Sequence, residues 1–302
     1  MVTFSTSPVS AGKFLKVNLP RESVLVEKDF GKMLASMVSY DEMYAHVERH
    51  VDALKTNKTG DERETYAEVF DNQTLMVLYD YMTRGYIDTI HYPVSTGKEG
   101  NVFYATDEEG EGVAVKIFRT STSTFKRVSK YIEGDPRFKG LTGNRRKIIY
   151  AWTNKEFRNL DRYCEAGIPV PEPIAFRKNV LLMEYIGDEN GPAPQLKDVE
   201  MDDPTAMYDD VVSFIIDGYR DAHLVHGDLS EYNILMQDGQ PIMIDVGQAV
   251  TIDHFNAKEF LERDVRNVNR FFRQRGADII EAEKIMDCAL NGIDDEEEGD
   301  EE

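Results

Sequence analysis

His226-Gly227-Asp228-Leu229-Ser230-Glu231-Tyr232-Asn233, followed a short hairpin later by Ile244-Asp245-Val246-Gly247, is the stretch on which the reading of this chain turns. Phosphoryl transfer from ATP asks little covalent work of a protein. It needs an aligned acceptor and cations on the phosphate oxygens. Asp228 is an acid placed to align or deprotonate an acceptor, and with Asp245 it is a candidate catalytic residue. Asn233 and Asp245 are hard oxygen ligands of the kind Mg2+ takes, with phosphates and water completing the shell. Each short pattern recurs by chance in unrelated chains, where both acids are ordinary turn residues. In this order, around the apolar segments 234–236 and 242–244, the two together are specific.

H-x-D-x4-N is the pattern of a kinase catalytic loop and D-x-G that of its metal loop. Upstream, Val113-Ala114-Val115-Lys116-Ile117 matches the strand whose lysine holds the α- and β-phosphates. If it is a strand, Lys116 points away from the face of Val113, Val115 and Ile117. Its ammonium needs a carboxylate partner, for which Glu156 is the candidate and Glu165, on the same expected helix, the alternative. Residues 95–102, with Gly97, Lys98 and Gly100, form the candidate phosphate cover. They are not a Walker A loop, because Tyr92 stands where that motif needs glycine and Glu99 where it needs Ser or Thr. Backbone N–H groups of a glycine turn still bind phosphate, although a simple hairpin reads the same way. Residues 181–187 read as a connector, with Met183 at the back of an adenine pocket and the backbone of Glu184 and Ile186 pairing with the base.

The rest of the chain is consistent with an α+β protein. Residues 40–56 carry a helical stripe of Met43, Tyr44, Val47, Val51 and Leu54. His46 and His50 lie one turn apart there, but Val47 occupies the glutamate position of a zincin motif, so they read as a surface-helix pair. Asp71 caps an expected helix to about Arg84 with Leu75, Met76, Leu78, Tyr79 and Met82 inward, and Gly85 ends it. Strands are expected at 91–95, 101–106, 112–118, 175–177 and 180–185. Helices are expected at 146–165, from Pro204 behind the Asp203 cap with Val211, Val212, Ile215, Tyr219 and Ala222 buried, at 257–274 and at 277–290. The order gives a two-lobed, protein-kinase-like fold: a small antiparallel β N-lobe (about 86–183) and a reduced helical C-lobe (about 187–293). A helical extension (1–85) precedes it, and an acidic tail (294–302) follows.

Composition excludes several classes. The 302 residues are 41% hydrophobic and 30% charged, as in a globular protein rather than a fibrous or disordered one. No apolar run is long enough to span a bilayer, and no secretory signal opens the chain. Cys164 and Cys288 lack motif spacing and read as thiols in a reducing cytoplasm. A net charge of −21 argues against a protein that coats nucleic acid with its whole surface. Residues 116–158 nonetheless hold twelve Lys or Arg against Glu133, Asp135 and Glu156. That stretch suits either a polyanionic partner or plain solvation.

At this point the chain resembles the RIO family of atypical serine/threonine protein kinases, in its type 1, archaeal-like branch. The segments that carry the resemblance are STGKEGNVF (95–103), AVKIFR (114–119), NKEFRNL (154–160), LLMEYIG (181–187), VHGDLSEYNI (225–234), IDVGQAV (244–250) and LERDVRNVNRFF (261–272). The resemblance implies ATP and Mg2+, or Mn2+, as cofactors. It assigns the catalytic acid to Asp228, metal ligands to Asn233 and Asp245, the nucleotide lysine to Lys116 and a phosphoaspartate to Asp245. It further implies autophosphorylation on serine, with Ser121, Ser123 and Ser129 as candidates, ATPase activity, and a role in small ribosomal subunit maturation. In that role the 116–158 stretch would meet pre-ribosomal RNA or protein. Gly227 departs from the alanine usual in type 1 members. Residues 1–85 show no winged-helix pattern of the type 2 branch.

With 57 residues after Asp245, and no A-P-E motif among them, there is little room for an activation segment. Gly227 also replaces the arginine that couples such a segment to the catalytic loop. A small-molecule kinase of the aminoglycoside or choline type, which shares H-G-D-x4-N, is the alternative; such enzymes usually add a larger helical region after the metal loop. A non-catalytic binding module would not need all of Lys116, Asp228, Asn233 and Asp245.

Overall fold

Among the described residues two helices precede the first sheet. In the computed structural model, which describes residues 39–51, 69–97, 100–120, 131–132, 135, 138–141 and 144–291, these are α1 (Tyr40–His50) and α2 (Asn72–Thr83). The described residues divide into two units between Glu42 and Met43. In the first, Ser39 and Glu42 make a reciprocal cap, Ser39 N donating to Glu42 Oε2 (2.9 Å) and Glu42 N to Ser39 Oγ (3.3 Å).

α1 is shorter than its stripe suggests. After His50, Val51 leaves the helix to bridge Ile90, while Leu54 lies outside the described residues. Met43 and Val47 point inward as expected, but Tyr44 is exposed. α2 begins at the Asp71 cap, whose Oδ1 accepts from Thr74 N (2.9 Å). It is buried on more than one side. Leu75, Leu78 and Met82 are inward as expected, Met76 and Tyr79 are only half-buried, and Thr74, Val77, Asp80 and Tyr81 are buried as well. The second buried side exists because Asp80 pairs with Arg84 (2.9 Å) and reaches across to Arg177.

The next strands are β1 (Thr89–Thr96), β2 (Gly100–Thr106) and β3 (Gly112–Phe118). After helix α3 (Arg145–Glu165) come β4 (Pro173–Arg177) and β5 (Val180–Glu184). They make one antiparallel sheet in the order β1-β2-β3-β5-β4. Side chains alternate across a sheet, so the register sorts them into two faces. Phe103, Ala105, Val113, Val115, Ile117, Val180 and Leu182 share one face and pack with α1 and α2 in a single apolar cluster. The opposite face carries Val102, Tyr104, Ala114, Lys116 and Met183.

A second cluster lies beyond β5. The chain passes through a two-residue-strand hairpin, β6 (Gly187–Asp188) and β7 (Gly191–Pro192), into α4 (Pro204–Arg220). Asp203 caps α4 with Pro204 in its first turn, as expected. Along it Val211, Val212 and Ile215 are buried, with Ala222 just beyond, but Tyr219 is only half-buried. Then come β8 (Leu224–Val225), the hairpin β9 (Ile234–Gln237) and β10 (Gln240–Met243), β11 (Val250–Thr251) paired with β8, α5 (Ala257–Gln274) and α6 (Ala282–Asn291). α6 starts five residues later than its periodicity indicates. Residues 277–281 stay outside the helix, where Ile280 N donates to Tyr208 Oη (3.1 Å) and Asn269 Nδ2 donates to Ile280 O (2.8 Å). Those tertiary bonds compete with the helical ones that the segment would otherwise make. Among the described residues no helix is long and apolar enough to cross a membrane.

Candidate active site

Lys116 lies opposite Val102 and Leu181 in the sheet, on the face away from α2. Its Nζ donates to Glu156 Oε1 at 2.5 Å and to Asp245 Oδ1 at 2.7 Å. Glu156 is the partner expected from sequence; Glu165, more than two turns further along α3, is exposed. The three side chains differ in access, 12% of Lys116 and 2% of Glu156 being exposed against 47% of Asp245. Burial works to lower the Lys116 pKa, but the charges of Asp245 and Glu156 outweigh it and hold the ammonium protonated. The nearby ammonium in turn keeps the Asp245 carboxyl below its ordinary value, against the effect of burial.

Asp245 takes a left-handed conformation (φ 60°, ψ 48°) and leads into a 3-10 turn, Val246–Gln248. Helix α3 holds that turn by its carbonyls. Lys155 Nζ donates to Gly247 O (2.6 Å), and Asn159 Nδ2 to Val246 O (2.9 Å) and Ala249 O (3.1 Å). Lys155 is fully buried, its ammonium also lying 4.7 Å from the Trp152 ring centroid. At Gly247 the requirement is space, since a Cβ would lie 2.7 Å from Glu156 Oε2. Lys155 and Asn159 were not singled out from the sequence. Their signal was there: two polar residues on the inward stripe that also carries Trp152, Glu156 and Tyr163.

The catalytic-loop segment is gripped from several sides. Asp264, buried on α5, accepts from Gly227 N (2.6 Å) and Leu229 N (3.0 Å). Burial pushes the Asp264 carboxyl up to about 7, while those two N–H donors and Arg263 pull the other way. Arg263 and Tyr131 both donate to Gly227 O, and Asn267 Nδ2 donates to Leu229 O (3.3 Å). Gly227 has φ +78°, a backbone region in which a side chain is strained, while a Cβ there would meet neighbours only at ordinary contact distances. Backbone geometry thus favours glycine at this position. His226 bridges the loop to the strand before Asp245, with Nε2 3.1 Å from Ile244 O and Nδ1 accepting from Asp228 N (3.3 Å). Burial lowers its pKa to about 4, so the imidazole is neutral.

Asn233 Nδ2 donates to Asp228 O (2.8 Å). With its N–H2 group so engaged, the amide presents Oδ1 as its ligand atom. Among the described residues no three His, Cys, Asp or Glu side chains gather into a self-sufficient metal cage. A carboxylate and an amide oxygen fit Mg2+, which commonly takes one or two protein oxygens and completes its octahedron with phosphates and water. Gln248 Nε2 donates to Asp228 Oδ2 (3.1 Å).

The sheet register places the candidate nucleotide-side residues. Met183 pairs with Ala114 on the Lys116 face, and Val102 shares that face opposite Lys116, two positions that sequence alone did not mark. Glu184 N donates to Glu172 O (2.8 Å), and Ile186 O accepts from Ala193 N (3.0 Å). The Glu184 carboxyl is raised by burial. Gly97 and Gly100 form the β1–β2 turn, Gly97 N donating to Gly100 O (2.9 Å), at the Lys116 end of the sheet. A Cβ on Gly100 would lie 2.5 Å from Ile117 O. Lys98, Ser121, Ser123, Ser129 and the tail 294–302 lie outside the described residues.

Comparison with known proteins agrees with this geometry. A family model for the RIO domain matches residues 101–285. The RIO-type serine/threonine-protein kinase Rio1 of Haloferax volcanii is 41% identical over 260 residues, covering 86% of this chain and 89% of that protein. The Rio1 of Methanocaldococcus jannaschii is 41% identical over 225 residues, covering 74% and 77%. Human serine/threonine-protein kinase RIO1 is 42% identical over 244 residues, which is 80% of this chain but 43% of that longer protein. Among solved structures, the Rio2 kinase–ADP/Mg2+–phosphoaspartate complex from Chaetomium thermophilum superposes with a TM-score of 0.61 at 23% identity, covering 87% of this chain and 89% of that one. The fold is therefore the two-lobed, kinase-like α+β fold.

Proposed function

The chain belongs to the RIO family, in its Rio1 branch, and from that premise we propose that it is an atypical serine/threonine protein kinase that also hydrolyses ATP. The observation that carries this reading is the single ammonium of Lys116 held between Glu156 and Asp245 (2.5 and 2.7 Å). Lys116 orients the α- and β-phosphates, and Glu156 keeps it in place. The Glu184 carbonyl and the Ile186 N–H face the adenine, with Met183, Ala114 and Val102 around the base. Gly97, Lys98 and Gly100 cover the phosphates. Asn233 and Asp245 would hold Mg2+, with Mn2+ as an acceptable substitute, and the ion would supply positive charge to the transferred group.

Asp245 is the most open of the three charged groups, as suits a carboxylate that reaches the γ-phosphate. One of its oxygens bonds to that phosphorus as ADP leaves. A serine hydroxyl or water then displaces Asp245, and its proton passes to Asp228. A phosphoaspartate is named for the Chaetomium Rio2 complex. The kinase domain is taken as 86–293, with lobes of about 86–183 and 187–293, preceded by the extension 1–85 and followed by the tail 294–302. Both cysteines are free thiols, which suits a cytoplasmic protein. The basic 116–158 stretch supports a role on the maturing small ribosomal subunit, and Ser121, Ser123 and Ser129 within it are the proposed autophosphorylation sites.

Asp228→Ala tests the core of the proposal. Calorimetry should show Mg-ATP binding within a few-fold of the native protein, while turnover falls by about 10³-fold or more, because alignment and charge dominate this reaction. Native turnover in that variant removes Asp228 from its assigned role.

A further inference from the structure

Asp228 follows Gly227 in the catalytic-loop segment, and to align an acceptor its carboxylate must be held in a fixed direction. Its peptide groups are held by His226 and Asn233, but those bonds leave the side-chain torsions unset. On the carboxylate, Gln248 Nε2 donates to Oδ2 at 3.1 Å. Gln248 stands three residues after Asp245 and closes the turn that Asp245 opens. Carbonyls on both sides of it, those of Val246, Gly247 and Ala249, are bound by Asn159 and Lys155 of α3. The Gln248 carbonyl itself lies 3.4 Å from the position of a Cβ on Gly227, so backbone and side chain of one residue both abut the catalytic loop.

From this geometry we infer that Gln248 is a positioning residue for Asp228, orienting its carboxylate from the turn that follows Asp245. α3 thereby sets both halves of the site. Glu156 on one face of that helix places Lys116, and Lys155 with Asn159 place Gln248 and, through it, Asp228. A planar amide donor engages Oδ2 of that carboxylate and sets its direction. This inference rests on the reading of Asp228 given above, and goes beyond it by naming what holds that acid in register with Asp245.

The test compares Gln248→Met, Gln248→Glu, Asp228→Asn and the double variant Gln248→Met/Asp228→Asn in the full-length protein. Steady-state Mg-ATP turnover and calorimetric ATP binding are both measured. Gln248→Glu keeps the side-chain volume and loses the donor at neutral pH, so it covers the case in which Gln248→Met folds poorly. Misplacing a reacting group by about 1 Å can remove ~10²-fold in rate. The expected result is a kcat lowered about 10- to 100-fold in both single Gln248 variants, with KM and Kd for ATP within about twofold. On the Asp228→Asn background, Gln248→Met should add less than about twofold, since residues acting as a unit are non-additive. Native kcat in the Gln248 variants, or a loss that multiplies in full with that of Asp228→Asn, overturns the inference. So does a loss of ATP affinity in step with kcat, which would mark Gln248 as merely structural. If Asp228→Asn itself turns over like the native protein, the assignment of Asp228 fails instead, independently of Gln248.

Discussion

The catalytic-loop segment 226–233 and the glycine turn at Gly97 and Gly100 are held in opposite ways. Loop 226–233 is gripped through backbone and side chain by Asp264, Arg263, Asn267, Tyr131 and Gln248, which come from three separate parts of the chain. The turn at Gly97 and Gly100 is closed by a backbone bond between its own two glycines. The difference follows from what each has to do. An acid that aligns an attacking oxygen must be placed to a fraction of an ångström, which needs many converging side-chain contacts. Backbone N–H groups that cover phosphates need room and little else. Damage to the first region should therefore appear in turnover, and damage to the second in nucleotide affinity.

The comparison can be broken most sharply at Lys116, which pairs with Val102 just past the glycine turn and bonds to Asp245. Lys116→Met removes that cation and leaves Glu156 buried without it. Stripping one partner from a buried ion pair costs about 3–5 kcal/mol, so denaturant unfolding should shift by that order. Calorimetric ATP affinity and turnover should both fall, unlike the pattern for either region alone. Native stability in this variant would mean that the pair is incidental.

Asp264→Ala should act on the catalytic loop only. It leaves Gly227 N and Leu229 N without their acceptor, at about 1–3 kcal/mol each. Turnover should fall with ATP affinity little changed, as read by kcat against Kd. A change in affinity alone would contradict the division of labour.

Gly100→Ala probes the other side. Its Cβ would meet Ile117 O at 2.5 Å, and such crowding costs about 1–3 kcal/mol. KM for ATP should rise about tenfold, with kcat within a few-fold of native. A kcat defect at unchanged KM would erase the contrast.

The smallest effect is one of pH. The Asp264 carboxyl is raised to about 7 in the fold, so between roughly pH 4 and 7 the native state retains a proton that the unfolded chain has released. Stability from this group is present at the acid end and is lost as pH rises, by at most about 1.4 kcal/mol per pH unit. Asp264→Asn should flatten that slope in denaturant titrations between pH 4 and 7. An unchanged slope would mean that the two N–H donors already keep the carboxylate ionised.

Much of this was legible in the residues. β3 and α5 fall on their expected bounds, and α2 and α4 begin behind the expected caps Asp71 and Asp203. Lys116, Glu156 and Asp245 converge as their motifs suggest. Less visible were elements whose partners are distant. α6 yields its first turn to Tyr208 and Asn269, and α2 buries Asp80 because Arg177 is nearby. Periodicity reports one buried stripe, whereas a second buried side depends on what the rest of the chain places there.

Sequence alone determined which side chains are candidates for the chemistry, because few residue types can hold magnesium, steady a triphosphate or take a proton at those spacings. Tertiary structure alone decided what holds them: Lys155 and Asn159 on the metal turn, Asp264 on the catalytic loop, Gln248 on Asp228. The reason is that a buried backbone N–H or C=O must find a partner somewhere. Which residue supplies that partner is settled by packing across elements far apart in the chain, and no local pattern records it.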